Sequence, residues 1–160
     1  MNKKTYITTA IPYVNGKPHI GFALELVQAD VIARYNRLIG NDVKLQTGTD
    51  ENAFKNVLTA RQLGITTEEL VKQNAKLFLE LAQGLNISFD NFVRTTDPAH
   101  SRGAVELWKQ IKSTDIYTKN YTGLYCSGCE DFYLEKDLIN GCCPDPVSYT
   151  HLTLPTTPYV

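Results

Sequence analysis

Two groups of residues in this 160-residue sequence have types and spacings that suit chemistry. The first is Asn15-Gly16-Lys17-Pro18-His19-Ile20-Gly21, a Pro- and Gly-bearing loop running into a helix. A helix N-terminus offers free backbone N–H groups and a positive dipole end to an anion. His19 there can donate from its ring to a phosphate, suiting a reaction in which charge develops on a transferring phosphoryl centre. Gly21 removes a side chain that would block backbone approach by a nucleotide, and Lys17 suits either a phosphate contact or, as single loop lysines more often do, a solvated position. The second group is Cys126-x-x-Cys129 with Cys142-Cys143 following. Two thiolates on a tight turn form a zinc half-site, and adjacent cysteines seldom both suit one tetrahedral ion, so one of the pair 142/143 completes a third ligand. Four cysteines crowded between 126 and 143 fit a metal cluster better than a disulfide framework.

The elements that must position these groups follow in order. Tyr6 to Ala10 reads as a first strand, and Pro12, Asn15, Gly16 and Pro18 as the turn after it. From His19 to Ile39, apolar residues recur at helical spacing (Leu24, Val27, Val31, Tyr35, Leu38), and Gly40 closes the helix. Val43, Leu45 and Thr47 alternate with polar residues as a short strand, ending in Gly48-Thr49-Asp50-Glu51-Asn52. Polar residues at a strand's C-terminal end stand where open α/β sheets bind ligands. A second helix is expected from about Asn52 to Leu63. A third opens on the capping box Thr66/Glu69 and runs through Leu70, Ala75, Phe78 and Leu81 to Gly84. Ile87 to Thr95 reads as extended, and Asp97-Pro98 opens a fourth helix in which Trp108 is expected in the core and His100 at the surface. The alternation predicts an α/β fold with a largely parallel sheet.

Bulk properties narrow the function. Apolar residues at 42% and charged residues at 21% are those of a soluble globular protein. A formal net charge of -1 gives no global reason for nucleic-acid or membrane binding. No apolar run approaches the roughly 20 residues that span a bilayer, and the N-terminus lacks a signal-peptide core. A cytoplasmic location is expected. After Asp115 the composition shifts to tyrosines, cysteines and glycines, too few apolar residues for a core, so a metal is the physical substitute.

The ordered series TTAIPYVNGKPHIGF, QADVIARYNRLIGNDV and TGTDEN resembles the opening of the methionyl-tRNA synthetases, a class I aminoacyl-tRNA synthetase family. His19-Ile20-Gly21-Phe22 is similar to that class's HIGH signature. The resemblance continues through Asn86-Ile87-Ser88-Phe89-Asp90, Phe92-Val93-Arg94-Thr95-Thr96 and Gly123-Leu124-Tyr125-Cys126-Ser127-Gly128-Cys129-Glu130, covering residues 5 to 146. It implies the first half of a Rossmann-like nucleotide-binding catalytic domain over residues 1–114. It also implies part of a zinc-knuckle connective insertion over 115–146. The implied activity is ATP-dependent conversion of methionine to methionyl-adenylate, then transfer to tRNA(Met), with Mg²⁺ accompanying ATP and structural Zn²⁺. His19 and Gly21 would be catalytic, with Asn15, Lys17 and Glu25 also binding ATP. Ile11 and Tyr13 would line the methionine pocket, and Asp50 would take the ammonium.

One departure from the signature is Phe22, where the second histidine belongs; phenylalanine donates nothing to phosphate. The family's Cys-Pro-x-His pattern makes Cys143, not Cys142, the third metal ligand beside Cys126 and Cys129, with Pro146 where the fourth would be. Residues 147–160, VSYTHLTLPTTPYV, resemble a translated sequencing adaptor and are expected to be non-native. The resemblance further implies a second half-domain with a KMSKS-type loop and a helical anticodon-binding domain. Without them the chain is expected to be inactive by itself. Another class I synthetase, or a related adenylate-forming enzyme, would share the His-Ile-Gly helix, but Ala10-Ile11-Pro12-Tyr13 and the GTDEN context disfavour it. A zinc-ribbon nucleic-acid-binding module would need a basic cluster around the cysteines, which is missing.

Overall fold

The computed structural model describes residues 3–144; Asp145, Pro146, His151 and the adaptor-like tail lie outside them. The chain divides into two compact units, the first ending at Gln110 and the second beginning at Ile111.

The first unit holds a parallel three-stranded sheet in the order β1-β2-β3, formed by Lys4–Thr8, Asp42–Thr49 and Asn91–Arg94. Helix α1 (Ile20–Leu38) connects β1 to β2, and α2 (Phe54–Leu63) and α3 (Thr67–Gly84) connect β2 to β3. Parallel strands require such crossovers, and the expected alternation of strands and helices is realised. Helix α4 (Pro98–Lys109) follows with proline in its first turn. The capping box at α3 is complete: Thr66 Oγ1 accepts from the Glu69 N–H at 3.1 Å, and Glu69 Oε2 accepts from the Thr66 N–H at 2.9 Å. Gly48 lets β2 and β3 approach closely, because a Cβ there would stand 2.0 Å from the Val93 carbonyl oxygen.

The core lies between the sheet and α1 and α3, with Leu26, Ala33, Leu45, Ala75 and Phe78 at its centre. Helix α1 forms where the apolar period predicts it. The marking residues Leu24, Val27, Val31, Tyr35 and Leu38 are exposed, however, and the buried face carries Phe22, Ala23, Leu26, Ala29, Asp30 and Ala33. Small alanines let the helix axis sit close to the sheet, which periodicity of large residues cannot register. Trp108 is likewise not core: it is 63% exposed, and α4 buries none of its residues.

A polar network ties α1 to the approach to β3. Asp30 accepts from the Ser88 N–H at 2.8 Å and from the Ser88 hydroxyl, and pairs with Arg34 at 2.6 Å. Asp90 accepts from the Leu45 N–H at 2.7 Å and from Arg37 at 3.0 Å. Burial pushes the Asp30 carboxyl up, but its bonds to Ser88 and Arg34 outweigh that and leave it below the ordinary value. The Leu45 N–H does the same for Asp90, helped by Lys44 and Arg37. A carboxyl depressed in the folded state stabilises above its unfolded pKa, about 4, and the contribution is lost as pH falls through the folded value. Asp30→Ala should therefore cost about 2 kcal/mol near neutrality, with the deficit shrinking in acid. Urea denaturation at pH 7 and in the acid range checks both.

The second unit is small. Strands β4 (Leu124–Cys126) and β5 (Asp131–Tyr133) form an antiparallel hairpin, pairing Cys126 with Asp131. In the connecting turn Glu130 takes the left-handed conformation, φ 57°. Tyr121 and Tyr125 rings pack on Phe132 at 5.6 and 5.1 Å.

Candidate active site

Strand β1 ends at Thr8, and the loop after it crosses the C-terminal end of β2. There Tyr13 forms an isolated parallel bridge with Asp50, and the Asp50 N–H donates to the Pro12 carbonyl at 2.9 Å. This places Tyr13, with Ile11 two residues before it, at the strand end that carries Asp50. Both are partly exposed, and Lys55 Nζ sits 6.0 Å from the Tyr13 ring centroid. Asp50 Oδ1 accepts from the Asn52 N–H at 2.9 Å, the turn that lets the chain leave β2.

His19 is the N-cap of α1. Its backbone is extended (φ -123°, ψ 172°), and its ring Nδ1 accepts from the Gly21 N–H at 3.0 Å. A ring nitrogen that accepts carries no proton, so the neutral ring keeps its N–H at Nε2. The cap thereby fixes the tautomer and leaves Nε2 as a donor. Gly21 gives the ring its room: a Cβ there would stand 2.9 Å from His19 Cε1 and 3.0 Å from Nδ1, so the ring would have to shift. The sequence pointed to nucleotide clearance at Gly21; the structure adds clearance for the histidine itself.

Tyr13, Asn15, Lys17, His19 and Phe22 line one cleft of about 330 Å³, with Phe78 of α3 behind them. Phe22 is a packing residue, 5% exposed, its ring edge-on to Phe78 at 5.1 Å. Glu25 faces the loop: its Oε1 accepts from the Ala10 N–H at 2.6 Å. Ile11, Gly21, Glu25 and Asp50 are not among the cleft's lining residues.

Two residues that sequence reasoning missed hold this arrangement. Asn74 on α3 donates to the Val14 carbonyl at 2.6 Å, tethering the loop that carries Lys17 and His19. Glu51, its side chain wholly buried, receives Arg94 at 2.6 and 2.9 Å immediately beside Asp50. Only Glu51 left a signal, as a second acid within GTDEN.

In the second unit the Sγ atoms of Cys126, Cys129 and Cys143 lie within 4.8 Å of one another; Cys142 is outside the group. None of the four forms a disulfide. Cys129 Sγ is 3.4 Å from Cys143 Sγ and 3.3 Å from the Tyr133 hydroxyl. Tetrahedral zinc with bonds near 2.3 Å holds its sulfurs about 3.8 Å apart, so three thiols this close fit the ion. Burial raises the Cys129 thiol above its ordinary value, the Tyr133 hydrogen bond lowers it, and the neighbouring thiols raise it again.

The model of the tRNA synthetases class I (M) matches residues 5–151. The chain belongs to this family. It is 43% identical over 142 residues to the methionine–tRNA ligase of Mycobacterium bovis, covering 87% of this chain and 27% of that protein. It is 44% identical over 144 residues to that of Clostridium perfringens, covering 89% and 22%. The fold is similar to Mycobacterium tuberculosis methionyl-tRNA synthetase in complex with methionyl-adenylate. That match has a TM-score of 0.86 and 38% identity, covering 94% of this chain and 31% of that one. The chain thus spans about a fifth to a third of the length of these family members. The Rossmann-like α/β class implied by the sequence is the fold observed, and no helix among the described residues is long and apolar enough to cross a membrane.

Proposed function

We propose that the first unit is the ATP- and methionine-binding part of a methionine–tRNA ligase. The observation that carries this is His19, capped so that Nδ1 accepts from Gly21 and Nε2 keeps the donor hydrogen, at the mouth of a helix. In the reaction, the methionine carboxylate oxygen attacks the ATP α-phosphate and the bond to pyrophosphate breaks, giving methionyl-adenylate. The activated acyl group then passes to the terminal adenosine of tRNA(Met), releasing AMP. No side chain acts as a nucleophile; positioning and charge stabilisation lower the barrier.

His19 Nε2 donates to the phosphate as charge builds there, and the free N–H groups of α1 add to it. Gly21 keeps the ring seated, while Asn15 and Lys17 extend the phosphate side of the cleft. Asp50 takes the substrate ammonium, with Ile11 and Tyr13 forming the apolar wall for its side chain. Glu25, bonded to the Ala10 N–H, braces the loop and stands near the adenosine position. Phe22 supplies packing in place of a second donor, so the remaining donors carry that load. Mg²⁺ enters with ATP as part of the substrate.

Cys126, Cys129 and Cys143 would hold zinc, which supplies structural cross-linking to a unit with little apolar core. On this reading residues 1–114 are half of the catalytic domain and 115–146 part of its connective insertion, in a cytoplasmic enzyme. Among the described residues β1 is an edge strand and the apolar stripe of α1 is exposed, which supports the reading that further chain completes the nucleotide fold. The test is ATP–pyrophosphate exchange by a synthetase of full family length carrying these residues, assayed with each amino acid in turn. Exchange dependent on methionine is expected; exchange driven by a different amino acid would overturn the assignment.

A further inference from the structure

We infer that Glu51 is a positioning residue that aims the Asp50 carboxylate at the substrate ammonium, an inference that rests on the methionine-site reading above. Glu51 is anchored from several directions. Its carboxylate receives Arg94 Nε at 2.6 Å, Arg94 Nη2 at 2.9 Å, the Thr49 hydroxyl at 3.1 Å and the Thr96 hydroxyl. Its N–H donates to the Thr95 hydroxyl at 2.8 Å, and its carbonyl accepts from Asn56 at 3.0 Å. An ion pair with its carboxylate wholly buried is a costly way to gain stability, since apolar replacements of similar shape often do as well or better. The pair instead joins the C-terminal ends of β2 and β3, the end of a parallel sheet where ligands bind.

The neighbouring peptide has little freedom left. On its upstream side the Asp50 N–H is held by the Pro12 carbonyl. On its downstream side Glu51 is fixed by both main chain and side chain. Arg94 is occupied by Glu51 through both Nε and Nη2. The hydrogen bond to Glu51 raises the Arg94 pKa, against the lowering effect of its partial burial, so the guanidinium stays charged.

The experiment compares Glu51→Gln and Thr96→Val with wild type, in a synthetase of full family length, by methionine-dependent ATP–pyrophosphate exchange. Glu51→Gln keeps the shape but removes the charge that orders Arg94; Thr96→Val removes one hydroxyl donor and leaves the ion pair. The expected result for Glu51→Gln is a rise of about 10- to 100-fold in the methionine KM with the ATP KM unchanged. Inhibition by methioninol, which keeps the ammonium, should weaken in parallel, and inhibition by 4-(methylthio)butanoate, which lacks it, should not. Thr96→Val should move the same quantities in the same direction by a smaller factor, and it decides the matter if Glu51→Gln does not fold. Unchanged methionine KM, or equal losses for methionine and ATP, would overturn the role of Glu51 while wild-type exchange still upheld the methionine site. Absence of methionine-dependent exchange in wild type would overturn that site and this inference together.

Discussion

Replacing Gly21 by alanine in a synthetase of full family length is expected to slow methionine-dependent ATP–pyrophosphate exchange by about 100- to 1,000-fold, the scale of losing one oxyanion donor. The added Cβ would stand 2.9 and 3.0 Å from two atoms of the His19 ring, closer than the ring can stay without shifting. The backbone of α1 is hydrogen-bonded and cannot give way cheaply, so the ring must turn aside. It then loses both the Gly21 N–H and the orientation of Nε2. The stability cost is that of an N-cap, about 1 kcal/mol, partly offset because alanine favours the helix over glycine. Activity should therefore collapse while the unfolding midpoint barely moves. A small rate effect would mean that the ring's seat on Gly21 is dispensable.

The second large effect concerns the sulfurs. Zinc is expected at about one equivalent per chain, and Cys126→Ser should weaken it by more than about 100-fold, beyond the loss of an outer-shell partner. Cys126 is fully buried at the end of β4, so it has no solvent-facing rotamer to retreat to. With little apolar core in the second unit, the metal's binding energy is its folding energy, and the hairpin pairing of β4 with β5 should be lost with it. Cys142→Ser should leave zinc content unchanged, because its sulfur is outside the three-thiol group. Metal analysis with amide hydrogen exchange across 124–133 checks the set; equal loss in both variants would contradict the ligand assignment.

Local chemistry made much of this molecule legible in the sequence. The Thr66/Glu69 cap, the glycine after α1 and the proline in the first turn of α4 are signals written within four residues, and each element begins or ends accordingly. The spacing Cys126-x-x-Cys129 likewise predicted two sulfurs on one hairpin turn. What escaped depends on partners distant in sequence. Which face of α1 is buried turns on its small residues Ala29 and Ala33, while the large apolar residues that mark its helical period lie on the exposed face. Trp108 was misplaced because residue type says nothing of whether a partner covers it. Glu51 finds Arg94 43 residues away, and Asn74 finds Val14 60 residues away, pairings that no local pattern encodes.

The most direct test of the central claim is single-turnover formation of methionyl-adenylate, comparing wild type with His19→Asn in a synthetase of full family length. Asparagine caps a helix well, so its side-chain oxygen can replace Nδ1 as acceptor from Gly21 while the Nε2 donor is lost. The predicted result is an adenylation rate constant lower by about 100-fold or more, with methionine affinity and thermal midpoint close to wild type. An adenylation rate equal to wild type would contradict the assignment of His19 Nε2 to the phosphate.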